Sequence, residues 1–548
     1  MKKHAEKIGI ICLVVCLLVS VLTACGNNSE QSSSSQSADN SSQPADSSSQ
    51  DETPGSSMRL VEEGETAKLK VWRPTHTTIG TRIEGFGDTL FNQWMAEQTG
   101  VEIEWITPVG GTEIDNLSML ISSGQYPDIF VGASPYYTTG AHGLMKDGIA
   151  INLAEYLDQV PNFAAQLNQS DLRKKESYSD DGELAAFYNY FQGDIPDVAW
   201  YGILMRKDLL DQVGMEVPKT YDQWHDVLVA FRDECGIEKP YLLNYNGFPK
   251  LNMFTGGLGF GYMPPSQPFY QIDGTVHYAP LEDGFKQYLQ MMNQWYEEDL
   301  IDPDFMSLNS TSAEMTAYAD PQTGSMVAPI SLANVLVALS PVEGVEFVAV
   351  PHPVVSEDDP IIHIGPVNGL VGPGMQITTS CSNLELALKW CDLYYAEEVI
   401  FVSNWGTDES NYYLDEDGNY RWTEKVLADP DGFAPLDMMY SIADSPSVRA
   451  SNRDHNDEWL LEVGSAYNAQ NDNAYAISSS VTMTTEENDI YASVMADIND
   501  YVEEMQVKYI LGIESFDQYD QFVEQIRSMG IEDAMTAYQA ALDRYNAR

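Results

Sequence analysis

The chain carries 83 Asp and Glu residues, enough for two carboxylates to work as acid and base on a glycosidic bond and enough for such pairs to arise by chance. Neither a Gly-x-Ser-x-Gly elbow nor a His-Glu-x-x-His pair occurs, so the serine nucleophile and the zinc helix of two large hydrolase classes are missing. Gly257-Leu258-Gly259-Phe260-Gly261 is glycine-rich but lacks the dinucleotide fingerprint and the phosphate-loop lysine, and it reads as a flexible loop. The eight histidines are scattered, and His352 with His363 has no metal-ligand spacing. Asp415-Glu416-Asp417-Gly418 has the residue types of a calcium loop, but such a loop wants Gly at its sixth and Glu at its twelfth position, where Tyr420 and Val426 stand. It reads as a hairpin turn. Asp180-Asp181-Gly182 also reads as a turn, because Leu184, Ala185 and Ala186 supply no side-chain oxygen. No catalytic residue, cofactor or metal is expected.

Binding chemistry is better supplied. Pyranose rings present apolar CH faces ringed by hydroxyls, so a sugar site combines flat aromatic platforms with converging polar groups. The chain has 31 Tyr and 10 Trp. Those placed after strands or between elements are the candidates for platforms: Trp72, Tyr136, Tyr137, Tyr190, Trp200, Trp405 and Tyr412. Arg206 and Asn404 are candidate hydroxyl partners. For each of these residues packing competes with ligand contact, and Arg206 can equally pair with a structural carboxylate.

The elements that must position these residues alternate. Lys68 to Trp72 reads as a strand, Leu90, Phe91, Trp94 and Met95 form a helical stripe ending at Gly100, and Val101, Ile103 and Trp105 alternate as a second strand. After the turn Ser123 to Tyr126, Pro127 to Val131 reads as a short buried strand. This βαβ order predicts a largely parallel sheet whose crevice lies beyond the strand C-termini. Further on come a turn at Asp181-Gly182-Glu183 and a strand from Leu184 to Tyr190. Thr220 with Gln223 makes a capping box, and Ser515 with Gln518 reads as another. Near the C-terminus, Ile490, Val494, Ile498, Tyr501 and Met505 mark one helix face, with Gly512 as its stop; a second helix carries Phe522, Val523 and Ile526 to Gly530.

Composition bounds the rest. At 548 residues with 43% hydrophobic content the chain can bury two sizeable cores. A net charge of -55 removes nucleic acid from the partners, because phosphate binding needs clustered Lys and Arg. Lys2, Lys3 and Lys7 precede an apolar run from Ile8 to Leu22, the pattern of an export signal. Leu22-Thr23-Ala24-Cys25-Gly26 resembles the lipobox of bacterial lipoproteins, which implies cleavage before Cys25 and acylation of that residue. The Ser-rich stretch that follows cannot offset the entropy of folding and reads as a tether. Once Cys12, Cys16 and Cys25 are set aside, Cys235, Cys381 and Cys391 remain as small buried hydrophobes, with Cys381 and Cys391 flanking one helix.

Ordered motifs run through the remainder: Ser123-Gly124-Gln125-Tyr126-Pro127-Asp128-Ile129, Arg206-Lys207-Asp208-Leu209-Leu210 with Pro218-Lys219-Thr220, and Tyr296-Glu297-Glu298-Asp299-Leu300-Ile301-Asp302-Pro303-Asp304-Phe305. Ile377-Thr378-Thr379-Ser380-Cys381 and Asn404-Trp405-Gly406 follow. In this order they resemble the family 1 extracellular solute-binding proteins, in particular their long Gram-positive lipoprotein branch. The resemblance implies an α/β, two-lobe periplasmic-binding-protein-like fold (type II) with a hinge and an interlobe cleft. It places chain crossings near Tyr188 to Trp200, near Val350 to Pro351, and near Asn404 to Trp422. The expected organisation is a signal over 1–24, a tether over 25–62, a first lobe of 63–190 with 351–403, and a second lobe of 191–350 with 404–548. It implies a monomer, lipid-anchored on the extracytoplasmic face of the cell membrane, that captures a carbohydrate for the permease subunits of an ABC transporter. A secreted polysaccharide-degrading enzyme and a glycan- or peptide-binding surface protein are the alternatives.

Overall fold

The computed structural model describes residues 58–548 apart from 75–84, 138, 193–200, 244–250, 262–267, 309–310, 331, 363–369, 417, 428–434, 444–445, 451–466 and 468–473. The signal, Cys25 and most of the tether lie outside the described residues, and Met58–Arg548 forms one compact unit.

Strand β1 (Ala67–Trp72) pairs in parallel with β2 (Val101–Ile106) and β3 (Ile129–Val131), the expected crossover. The helix Leu90–Thr99 between them starts where the Thr89 side chain accepts from Asn92 N, and it ends at Gly100, whose φ of 71° suits a residue without a Cβ. Strands β4 (Phe187–Phe191), β11 (Leu370–Ile377) and β14 (Val448–Arg449) complete a six-stranded sheet in the order β14-β4-β11-β3-β1-β2. Only β11 runs against the others, so the C-terminal ends of β1, β2, β3, β4 and β14 share one edge. Alternate residues feed opposite faces. Leu69, Val71 and Ile129 enter a core with Phe163, Phe187, Tyr190 and Trp390, while Trp72 and Phe130 join Leu117, Leu144 and Ile149 on the other side.

A second sheet has the order β10-β5-β9-β6, from β5 (Tyr201–Arg206), β6 (Lys239–Leu242), β9 (Thr323–Pro329) and β10 (Phe347–Val350). Here β5 runs against β9 and β10, which brings the start of β5 to the same edge as the ends of β6, β9 and β10. The helix Tyr221–Asp233 opens with the expected capping box and buries Trp224, Leu228 and Phe231, with Trp224 stacked on Trp295 at 6.4 Å. The hairpin β7 (Phe269–Ile272) and β8 (Thr275–Tyr278) and three C-terminal helices close the same core.

Several expectations needed correction. The third crossing is not at Asn404 to Trp422, and residues 404–450 do not belong with the second lobe: β14 pairs with β4, and Trp405, Trp422, Val426 and Met438 form a satellite core around the hairpin β12 (Tyr412–Leu414) and β13 (Tyr420–Trp422). Chain order misled because the hairpin is an insertion before the last strand of the first sheet. The strand expected from Leu184 to Tyr190 starts late, as β4 at Phe187, since Leu184 makes only an isolated bridge to Tyr178. In the helix Thr485–Ile510 the buried face is Met495, Ile498, Val502 and Tyr509, and Ile490 is exposed; Thr484 and Glu487 form its capping box. Ser515 caps only a short 3-10 turn through Asp517 N, and no box with Gln518 forms. Of the three cysteines only Cys391 is buried, and it lies inside the helix Leu384–Leu393 rather than beside it. Gly257 is not in a loose loop: it bridges to Val354, and a Cβ there would lie 2.2 Å from the Pro353 carbonyl oxygen.

Candidate functional site: an edge-to-edge cleft

The two sheets meet edge to edge through the chain itself. The chain leaves β4 at Phe191 and enters β5 at Tyr201; it leaves β10 at Val350 and enters β11 at Leu370. A third passage follows β14, and by Tyr467 the chain is again on the second sheet. The strand-end edges defined above are therefore the edges that the passages join, and strand ends of this kind are where α/β folds hold ligands.

On the first edge, β1 continues into Arg73, whose guanidinium lies 4.1 Å above the Phe86 ring. The turn Ser134–Tyr136 follows β3, and Gly132 holds it by donating to the Gly374 carbonyl at 2.9 Å. Tyr136 is half-buried, its ring edge-on to Trp72 at 6.1 Å, and partial burial, then the Glu113 charge, raises its phenol pKa. Tyr137 donates to Asp147 Oδ2 at 2.5 Å; partial burial, then this bond, pushes its pKa up to about 12. At the neighbouring strand ends, Gln192 N donates to the Arg449 carbonyl at 2.7 Å.

The second edge presents Tyr201, half-buried, with its phenol pushed up to about 12 by burial and then by Glu314. Tyr467 binds the edge together. Its hydroxyl contacts Ile203 N at 2.8 Å and Ile203 O at 2.9 Å, and donates to Val350 O at 2.6 Å, linking β5 to β10. Gly202 permits this close approach, because a Cβ there would sit 2.3 Å from the Tyr467 ring.

The residues selected from the sequence divide by place. Tyr136 and Tyr137 stand on the first edge with surface to offer. Trp72 is 0% exposed and donates its indole N–H to Asn116 Oδ1 at 2.8 Å, so it backs Tyr136 from within the core. Tyr190 is also 0% exposed, its hydroxyl 3.0 Å from Ser177 Oγ. Arg206 occupies the end of β5 away from the passages and makes a bidentate pair with Asp208 at 2.7 and 2.6 Å. Asn404 spends its amide on Ile400 O, Val448 O and Ala450 N, fastening β14 to the helix Glu397–Trp405. Trp405 packs on Tyr420 and Trp422, and half-buried Tyr412 lies edge-on to Phe401 and Tyr420. Arg206, Asn404, Trp405 and the two fully covered aromatics are thus framework residues: their polar atoms are taken or their faces are covered. Trp200 lies outside the described residues. Sequence reasoning missed Arg73, Gln192, Tyr201, Arg449 and Tyr467, and the signal for four of them is their position at a strand boundary.

No group of three or more His, Cys, Asp or Glu residues suited to a metal occurs among the described residues. Among the described residues, the two edges carry aromatic, guanidinium and amide groups.

Comparison with known proteins agrees with this geometry. A family model described as bacterial extracellular solute-binding protein matches residues 84–399. The chain belongs to this family. One relative is the fructooligosaccharide ABC transporter substrate-binding protein FusA of Streptococcus pneumoniae, 24% identical over 506 residues, covering 84% of this chain and 88% of FusA. A crystal structure of FusA, an EF-hand mutant in complex with fructo-nystose, superposes with a TM-score of 0.71 at 21% identity, over 88% of this chain and 99% of that one. An HMO-binding, ABC-transporter-associated solute-binding protein from Bifidobacterium longum infantis gives 0.72 at 17% identity, over 88% and 99%. The fold of this solute-binding protein is thus the two-domain α/β arrangement expected from the sequence.

Proposed function

We propose that this protein captures an oligosaccharide between its two lobes and delivers it to the permease subunits of an ABC importer. The observation that carries the reading is the pair of strand-end edges joined by short passages, with Tyr136 and Tyr137 on one side and Tyr201 on the other, in a family whose relatives carry oligosaccharide names. Aromatic faces cover the CH faces of pyranose or furanose rings, and the guanidinium and amide groups of Arg73, Arg449 and Gln192 meet the hydroxyls. Closing of the lobes then makes the liganded form distinct for the importer.

The protein is further proposed to be anchored through lipid at Cys25 on the outer face of the cell membrane, as a monomer. The lipobox and the Ser-rich tether support this placement. Labelling with a palmitate analogue tests it, an unlabelled mature protein being the result against it.

A thermal-shift screen of Met58–Arg548 against neutral oligosaccharides, uronates and peptides tests the ligand class. A ligand binding only the native state at about 100 times its dissociation constant adds roughly 2.7 kcal/mol. The expected result is a shift with one oligosaccharide class, recovered unaltered. Cleavage of the sugar would replace capture with catalysis, and a shift with peptide alone would overturn the carbohydrate assignment.

A further inference from the structure

The helix Ile531–Asn546 packs in the second lobe, yet its end bonds to the first. Tyr545 donates its hydroxyl to one oxygen of Glu176, and Ser478 donates to the other. Glu176 is 2% exposed and belongs to the first-lobe helix Asp171–Ser177. Beside it, Arg544 Nε donates to Asp180 at 3.1 Å and Arg548 Nε to the other Asp180 oxygen at 2.7 Å. Arg548 Nη1 also donates to the carbonyls of Lys175 at 3.1 Å and Tyr178 at 2.6 Å.

Both sides of this contact are held rigidly. In the second lobe, Arg544 is gripped by a bidentate bond to Glu487 at 2.7 and 2.5 Å and by Thr482 O at 3.1 Å. In the first, Arg173 Nη2 donates to the carbonyl of Phe191 at 2.6 Å, the residue where β4 ends and the chain starts toward β5. A buried carboxylate shared by two bodies resists their separation, because parting them leaves it without partners or brings water to it at the cost of the whole network. Such a contact is either made or broken, with little between.

We propose that the last turn of the chain is a fastener that sets the angle between the lobes, with Glu176 as its seat. The idea rests on the two-lobe cleft and not on which sugar fills it. Removing the fastener changes how far the lobes part while leaving both sheets intact.

Ligand-free scattering and hydrogen exchange on Met58–Arg548 test this. The double variant Tyr545→Phe, Arg548→Met removes donors to the first lobe at nearly constant volume. The expected result is a larger radius of gyration and about tenfold faster amide exchange in β4 and β5, with the core around Trp224 unchanged. Unchanged scattering and exchange in a folded variant overturn the proposal, and so does faster exchange spread evenly over both cores. If the double variant does not fold, Ser478→Ala must show the same signs. Arg527→Met, which removes an exposed pair with Glu532 within the second lobe, must show neither change. No sugar enters the measurement, so its failure leaves the ligand reading standing.

Discussion

The carboxylate of Asp128 accepts the backbone N–H of Lys70 at 2.8 Å, while its other oxygen accepts that of Ser382 at 3.1 Å. One side chain thereby ties β1 to the start of β3 and to the turn after β11, at 9% exposure. Asp128→Ala strands two backbone donors in a partly buried site, each costing about 1–3 kcal/mol. A loss of roughly 3 kcal/mol is expected in urea melts, and Asp128→Asn, which keeps an acceptor, should lose about half as much.

Arg206 has a comparable role in the second lobe. Its guanidinium is 5% exposed and its partner Asp208 is 22% exposed. Truncating one member of such a pair leaves the other poorly satisfied, at about 3 kcal/mol. Arg206→Met should therefore lower the melting temperature and leave sugar affinity within twofold of the parent. A larger loss of affinity at unchanged stability would restore Arg206 to the binding site.

These two side chains also show what was legible in the sequence. Asp128 and Arg206 sit in the motifs that pointed to the family, and both motifs hold backbone in place rather than ligand. The same is true of Asp302, whose carboxylate accepts the backbone N–H of Asp304 at 2.9 Å and pairs with Lys239 at 3.6 Å beside β6. Motif side chains therefore reported the fold, because such staples must be of one type, while the parallel order of β1, β2 and β3 was legible in the alternation of strand and helix patterns. Ligand residues need no fixed type, only a place at a strand end. Tyr201 and Arg449 could not be placed until β5 and β14 had been aligned in their sheets. Asn404 and Trp405 looked like site residues because a chain crossing was expected to start there, yet the hairpin insertion and β14 bury them.

His142 gives the protein an acid-sensitive point. Burial, then the positive charge of Arg548, lowers its pKa from 6.5 to about 4, against weaker opposition from Glu183 and Asp180. The unfolded chain then takes up this proton at a higher pH than the folded one, so stability falls as pH drops from about 6.5 to 4 and levels off below. The full effect is about 3 kcal/mol. His142→Gln should flatten the stability curve over that window in melts taken at half-unit steps. Equal slopes in parent and variant would show that the imidazole titrates as in water.

Tyr136 follows β3 on the first sheet's edge and Tyr201 opens β5 on the second's, and each is half-buried, so each has a covered side fixed by the protein and an open side. The ring of Tyr136 is propped edge-on by Trp72, whose own N–H is held by Asn116, so the platform should lose little freedom on binding. Replacing either tyrosine with Ala removes a preorganised face, with an expected loss of about tenfold in affinity for the sugar that shifts the melt. Replacement with Phe separates face from hydroxyl. If stacking dominates, Tyr136→Phe and Tyr201→Phe should bind within about threefold of the parent. If Phe and Ala variants lose affinity equally in calorimetric titrations, the hydroxyls make the contact. If neither loses any, the sugar is held by the passages between the lobes and the tyrosines only border them.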